Sequence, residues 1–167
     1  NNKGGVLLVL GDLDGALKEY KKALTIYKKT LGDNHTSTAN SYNNIGLVLK
    51  SKGNHAGALE MYQKALVIRQ KTLGDENPDT ALSYNNIGGV LYSKGDYDGA
   101  LENFRRALAI YQTALGDDHT SIATCYNNIG LVMKAKGNYD RALELHQQAL
   151  DIVKNLLGND DDDDNKP

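Results

Sequence analysis

The side-chain chemistry that recurs most regularly along this chain is that of the asparagine carboxamide. Tyr42-Asn43-Asn44-Ile45-Gly46 returns as Tyr84-Asn85-Asn86-Ile87-Gly88 and as Tyr126-Asn127-Asn128-Ile129-Gly130, so Asn43, Asn85 and Asn127 stand 42 residues apart. A carboxamide donates through its NH2 and accepts through its oxygen. A ladder of them therefore suits the C=O and N–H groups along an extended peptide. The same amides also suit helix packing and solvation, an alternative that weighs more for Asn44, Asn86 and Asn128 than for Asn43, Asn85 and Asn127.

Other reactive groups do not assemble. His35, His55, His119 and His146 lie in different copies of the repeat, two at one loop position and two in place of aromatic residues. Three of them are not expected to converge on a metal. No Ser/His/Asp set, phosphate loop or pair of buried carboxylates stands at workable spacing, so neither catalysis nor a cofactor is expected. The lone Cys125 cannot form an internal disulfide and takes the place of Ser41 and Ser83. It reads as a small buried residue of a reducing, cytoplasmic protein.

A net formal charge of -2 over 167 residues gives no support for binding nucleic-acid backbones. The apolar run Val6 to Leu10 is too short for a membrane span or a signal-peptide core, so no membrane partner is expected. The chain opens without methionine and in mid-motif, Asn1-Asn2 matching Asn43-Asn44, which suggests a piece of a longer repeat protein.

These residues must be positioned by a unit that stacks. A Leu-Gly pair keeps the same beat at residues 31-32, 73-74, 115-116 and 157-158, and about 24 of 42 positions agree between residues 36–77 and 78–119. One fixed period means one structural module repeated against its neighbours. Tyr126, Ile129, Gly130 and Met133 follow helical spacing and predict a helix A over about 120–136. Asn77-Pro78-Asp79 supplies an N-cap, a first-position proline and a first-turn acid; His35-Thr36 and His119-Thr120 stand there in the other copies. Lys-Gly pairs at 52-53, 94-95 and 136-137 mark its end.

Helix B follows, with Ala100, Phe104, Ala107 and Tyr111 beside Leu101, Leu108 and Leu115, a pattern of about 18 residues with a broad apolar face. Glu60 with Lys64 and Glu102 with Arg106 read as its solvated face. Gly46, Gly88 and Gly130 inside helix A, and Ala58, Ala100 and Ala142 early in helix B, predict close backbone approach between the two helices. No segment alternates with a strand's period of two. The fold class is all-α.

Together, Tyr84, Ile87-Gly88, Gly95-Asp96, Ala100, Phe104 and Ala107 resemble the signature of the tetratricopeptide repeat, and the match recurs three times. The unit has 42 residues where that family usually has 34, and it lacks the usual proline after helix B. With its Leu-Gly-Asp-Asp-His and Tyr-Asn-Asn-Ile-Gly segments, this longer form is similar to the repeats of kinesin light chains. The resemblance implies a right-handed α-solenoid of helix-turn-helix repeats over 1–158. Its parts are a truncated first repeat at 1–35 and further repeats at 36–77, 78–119 and 120–158, before an acidic disordered tail at 159–167.

It also implies a non-catalytic scaffold that binds protein or peptide ligands in a concave groove lined by A helices. By that resemblance the lining is Asn40, Asn43, Leu47 and Lys50, then Leu82, Asn85, Gly89 and Tyr92, then Thr124, Asn127, Leu131 and Lys134. The lysines would favour some acidic character in the ligand. The carboxylate clamp of chaperone-binding members is matched at one of five positions, Asn86, where Asn43, Leu47, Thr124 and Asn128 occupy the others. No preference for chaperone C-termini is expected.

The second reading of function is structural. Leu8, Val9 and Leu10 stand where later repeats carry Lys50, Ser51 and Lys52, and helix B ends beside Ile152, Val153 and Leu156 without a recognisable polar cap. Head-to-tail self-association through these faces would not close and would extend into columns.

Overall fold

The computed structural model describes residues 2–158, so the acidic tail expected at 159–167 lies outside the described residues. Eight helices occupy the described residues, with no strand among them: α1 (Asn2–Val9), α2 (Leu13–Leu31), α3 (Thr36–Ser51), α4 (His55–Leu73), α5 (Pro78–Ser93), α6 (Tyr97–Leu115), α7 (Thr120–Ala135) and α8 (Tyr139–Gly158). Helices α3, α5 and α7 are the A helices and α2, α4, α6 and α8 the B helices, so the array is an all-α solenoid of helix-turn-helix repeats.

Local sequence sets the helix ends. Asn77 caps α5 through its side chain, which accepts from the Asp79 amide at 2.9 Å, and Pro78 follows where its missing N–H costs nothing. His35 and His119 perform the same service with an imidazole: Nδ1 accepts from Ser37 and from Ser121 at 3.1 Å. That requires Nδ1 unprotonated and Nε2 to carry the ring proton. At the other end, Gly95 turns the chain from α5 into α6 at φ 80, a left-handed conformation that a side chain would strain. Asp96 then caps α6 by accepting from the Gly99 amide at 3.0 Å.

The helices pack into two compact units, α1 to α4 and α5 to α8. In the first, Ala16 and Tyr20 of α2 meet Ile45 and Val48 of α3, while Ala39 of α3 meets Ala65 and Ile68 of α4. In the second, Ala100 and Phe104 of α6 pack with Ile129 and Val132 of α7 and Leu145 of α8. Every residue in these clusters is buried, and burial of such apolar area supplies most of the driving force that holds a helix pair together.

The helix A glycines make room for a ring. A Cβ built on Gly88 would stand 2.8 Å from Cδ1 and Cε1 of Phe104, one on Gly46 2.8 Å from Tyr62, and one on Gly130 2.8 Å from His146. The expected backbone-to-backbone approach is thus corrected to backbone against an aromatic face, four residues beyond the buried alanines at 58, 100 and 142. A ring packed against a glycine brings the helices together and fills the space that a methyl group would otherwise take.

Candidate functional site

The helices place the twelve expected lining residues in rows along α3, α5 and α7. Successive members are three or four positions apart, so each row stays on one face of its helix. On α3, Asn40 and Leu47 are exposed, Asn43 and Lys50 are half-buried, and the intervening Ala39, Ile45 and Val48 are buried. On α7 all four, Thr124, Asn127, Leu131 and Lys134, are exposed. On α5, Leu82, Asn85, Gly89 and Tyr92 are half-buried.

Several of the polar members are already engaged. Asn40 accepts from Nη2 of Arg69 on α4 at 2.7 Å, and Arg69 is only 3% exposed. Asn85 accepts from Nδ2 of Asn128 at 2.9 Å, which ties α5 to α7, and the Cys125 thiol lies 4.0 Å from the same oxygen. Asn127 Oδ1 and His146 Nδ1 are 2.9 Å apart, joining α7 to α8. The Thr124 hydroxyl donates back to the Thr120 carbonyl at 2.9 Å. The carboxamide oxygens of Asn40, Asn85 and Asn127 therefore serve the scaffold. What these amides still offer a ligand is the NH2 donor and the second lone pair of the oxygen, suited to a peptide carbonyl and N–H.

Around the amides the rows carry apolar and cationic groups. Leu47 and Leu131 are each 40% exposed, and each lies one turn from a lysine, Lys50 or Lys134. Tyr92 leans on Tyr97 with ring centroids 5.7 Å apart. In the second unit α5 and α7 lie side by side, so two of the rows form one surface of leucine, tyrosine, threonine, amide and lysine. Such a surface can hold main-chain carbonyls and apolar side chains of a bound segment.

Cys125 is fully buried, and burial pushes its thiol up to about 12. Among the described residues no group of three or more His, Cys, Asp or Glu could hold a metal ion, and no helix is long and apolar enough to cross a membrane.

Two features of this region escape a reading of the sequence. Arg69 stands where Tyr27 and Tyr111 stand in other repeats, and nothing in the pattern marks it as a buried cation bonded to Asn40. A cavity of about 440 Å³ opens in the first unit, away from the α3 row, between the Asp33-Asn34 turn and Tyr42, Lys64, Val67 and Ile68. The Lys64 ammonium lies over the Tyr42 ring, 5.8 Å from its centroid. A cation stacked on a tyrosine returns at Arg106 and Tyr84, 5.1 Å apart, and a repeated arginine or lysine opposite a repeated tyrosine is the signal that could have found it.

The crystal structure of BtubC (BKLC) from P. vanneervenii superposes with a TM-score of 0.83 at 28% identity, over 93% of this chain and 62% of that one. This chain thus spans less than two thirds of that relative's length. The nearly identical TPR-like repeats of a protein assigned as a kinesin light chain in Podosopora anserina superpose with a TM-score of 0.77 at 22% identity. That match covers 91% of this chain and 72% of the other, and shows a shared fold. No curated protein sequence matches. The family model of the tetratricopeptide repeat matches residues 1–71, 41–113 and 79–155, which together take in nearly all of the described residues, and the chain therefore belongs to the tetratricopeptide repeat family.

Proposed function

We propose that the exposed rows of the A helices, that on α3 in the first unit and those on α5 and α7 in the second, each bind extended segments of partner proteins, and that the chain acts as a non-catalytic scaffold. Repeats of this family mediate interactions between proteins. The observation that carries the reading is the face of α7, where Thr124, Asn127, Leu131 and Lys134 are all exposed although Ile122, Ala123, Ile129 and Val132 on the same helix are buried. A leucine 40% exposed between an amide and a lysine is an apolar contact kept open beside two kinds of polar group. Screening a displayed peptide library against the protein tests this. Selected peptides should bind about tenfold more weakly to Leu131→Glu, a surface change that leaves the helix intact. Failure to select any binder, or binders indifferent to Leu131→Glu and Lys134→Glu, would overturn it.

Head-to-tail self-association is supported by apolar exposure on two outer helices. Val9 and Leu10 are 89% and 73% exposed at the end of α1, and Leu143 and Leu157 are 71% and 65% exposed on α8. Ile152 is only 9% exposed and belongs to the core of its own unit; Val153, at 38%, is the more accessible neighbour. Sedimentation velocity at rising concentration should show growing species that Leu10→Glu removes, whereas a monomer at every concentration would eliminate this reading.

A further inference from the structure

We propose that the outer face of α2 is a second docking surface, which takes an Asp/Glu-rich segment of a partner protein. The fixed period makes each repeat a control for the others. Glu60, Glu102 and Glu144 occupy one position of helix B, and in the second repeat Glu60 holds the Lys64 ammonium at 2.6 Å, one turn along the same face. In the first repeat the two corresponding positions are Lys18 and Lys22. The pair of the second repeat is lost: Lys22 turns to Glu19 at 3.0 Å, and Lys18 is left without a carboxylate. An anion from outside would supply the charge that Lys18 lacks.

The surroundings concentrate the effect. Lys18, Lys21 and Lys22 line an open cavity of about 430 Å³ together with Leu17, Thr25 and Asp14. The acids near them are already paired: Asp14 with Lys52, Glu19 with Lys22 at 3.0 Å and Lys3 at 3.8 Å, and Asp33 with Lys28 at 3.0 Å. Lys18, Lys21 and Lys29 make no ion pair among the described residues. Residues 1–75 hold 11 lysines and arginines against 6 aspartates and glutamates, whereas residues 76–158 hold 7 against 10. The positive excess thus belongs to the first unit, and α2 carries five of its lysines.

The dimensions fit a peptide. Lys18 and Lys22 are offset by about 6 Å along the helix, close to the roughly 6.6 Å between alternate side chains of an extended strand. The stripe from Lys18 to Lys29 is about 16 Å long, enough for some five residues and short for a duplex or a membrane. Leu17 on the cavity floor and Ile26, 58% exposed further along α2, add apolar contact that an acidic peptide with an aliphatic residue can use and a phosphate backbone cannot.

The test uses a fluorescein-labelled ten-residue peptide of aspartate and glutamate with one central leucine, read by anisotropy. Lys18→Glu with Lys21→Gln gives the first repeat the residues found at Glu60 and Gln63, so the folded protein itself supplies the precedent for the variant. This double variant should bind about tenfold more weakly with no loss of thermal stability, and binding to the parent should weaken with added salt. Lys29→Thr, the residue at Thr113, should give a smaller loss, and Leu131→Glu should give none, which separates this surface from the rows on the A helices. Equal binding by parent and double variant, no binding by the parent, or binding only to a DNA duplex or to anionic vesicles tested alongside would each overturn the proposal.

Discussion

Nδ2 of Asn128 donates to Oδ1 of Asn85 at 2.9 Å, joining neighbouring A helices through side chains 43 positions apart in sequence. Both residues come from the same repeated motif, the second amide of one copy bonding to the first amide of the copy before it. A double-mutant cycle on Asn85→Ala and Asn128→Ala should return a coupling of about 0.5–1.5 kcal/mol in urea unfolding, the net worth of one such bond. Additive losses would show that the two amides act independently.

Gly88 lies under the ring of Phe104, and the ring is 2% exposed and cannot swing aside. Alanine would ordinarily strengthen a helix interior by about 1 kcal/mol relative to glycine. Here the added Cβ meets ring carbons at 2.8 Å, so Gly88→Ala should lower stability by about 1–3 kcal/mol. Phe104→Leu in the same background should return part of the loss, because the smaller side chain makes room. A Gly88→Ala protein as stable as the parent would contradict the packing described.

Cys125 stays protonated to about 12 in the fold, whereas its ordinary value is 9.0. A folded-state pKa raised in this way gives stability that is complete below the unfolded value and is lost as pH rises towards the folded one. Between pH 9 and about 12 the unfolded chain releases a proton that the folded chain keeps, so stability should fall by about 1.4 kcal/mol per pH unit from this group. Tyr62, raised from 10.0 to about 12 by burial, adds to the fall in the upper part of the window. Cys125→Ser, which copies the buried Ser41 and Ser83, should flatten the pH dependence and leave the Tyr62 component. Parallel curves for the two proteins would rule out the thiol's contribution.

Asn40 accepts a charge-assisted bond from an arginine that is 3% exposed. Asn40→Ala should therefore cost about 1–3 kcal/mol in urea unfolding although the residue lies on the surface, and Asn40→Asp should be tolerated because a carboxylate serves the guanidinium at least as well. A neutral Asn40→Ala would mean that the bond contributes nothing net.

The fold could be read from the sequence because its signals are local. The cap at Asn77, the proline after it, the turn glycine at 95 and the spacing of Ala100, Phe104 and Ala107 each lie within one helix and its flanks, and all appear where expected. The exposed faces of α3 and α7 follow from the same periodicity. The fate of the amides could not be read, because the partners of Asn40, Asn85 and Asn127 stand 29, 43 and 19 positions away. Identical Tyr-Asn-Asn motifs give no sign of which oxygen will meet another amide and which an imidazole, and Asn40, which meets the arginine, lies outside them. Arg69 and the ring over Gly88 were hidden for the same reason: a pattern on one helix does not name the side chain that the next helix will present.

Amide chemical-shift mapping by NMR, with the tightest peptide selected from a library, shows whether the A-helix rows of the second unit take an extended peptide. The largest shifts should fall at Leu82, Tyr92, Thr124, Leu131 and Lys134 on α5 and α7, with the exposed faces of α6 and α8 unmoved. Shifts confined to the B helices, with α5 and α7 silent at saturation, would contradict it.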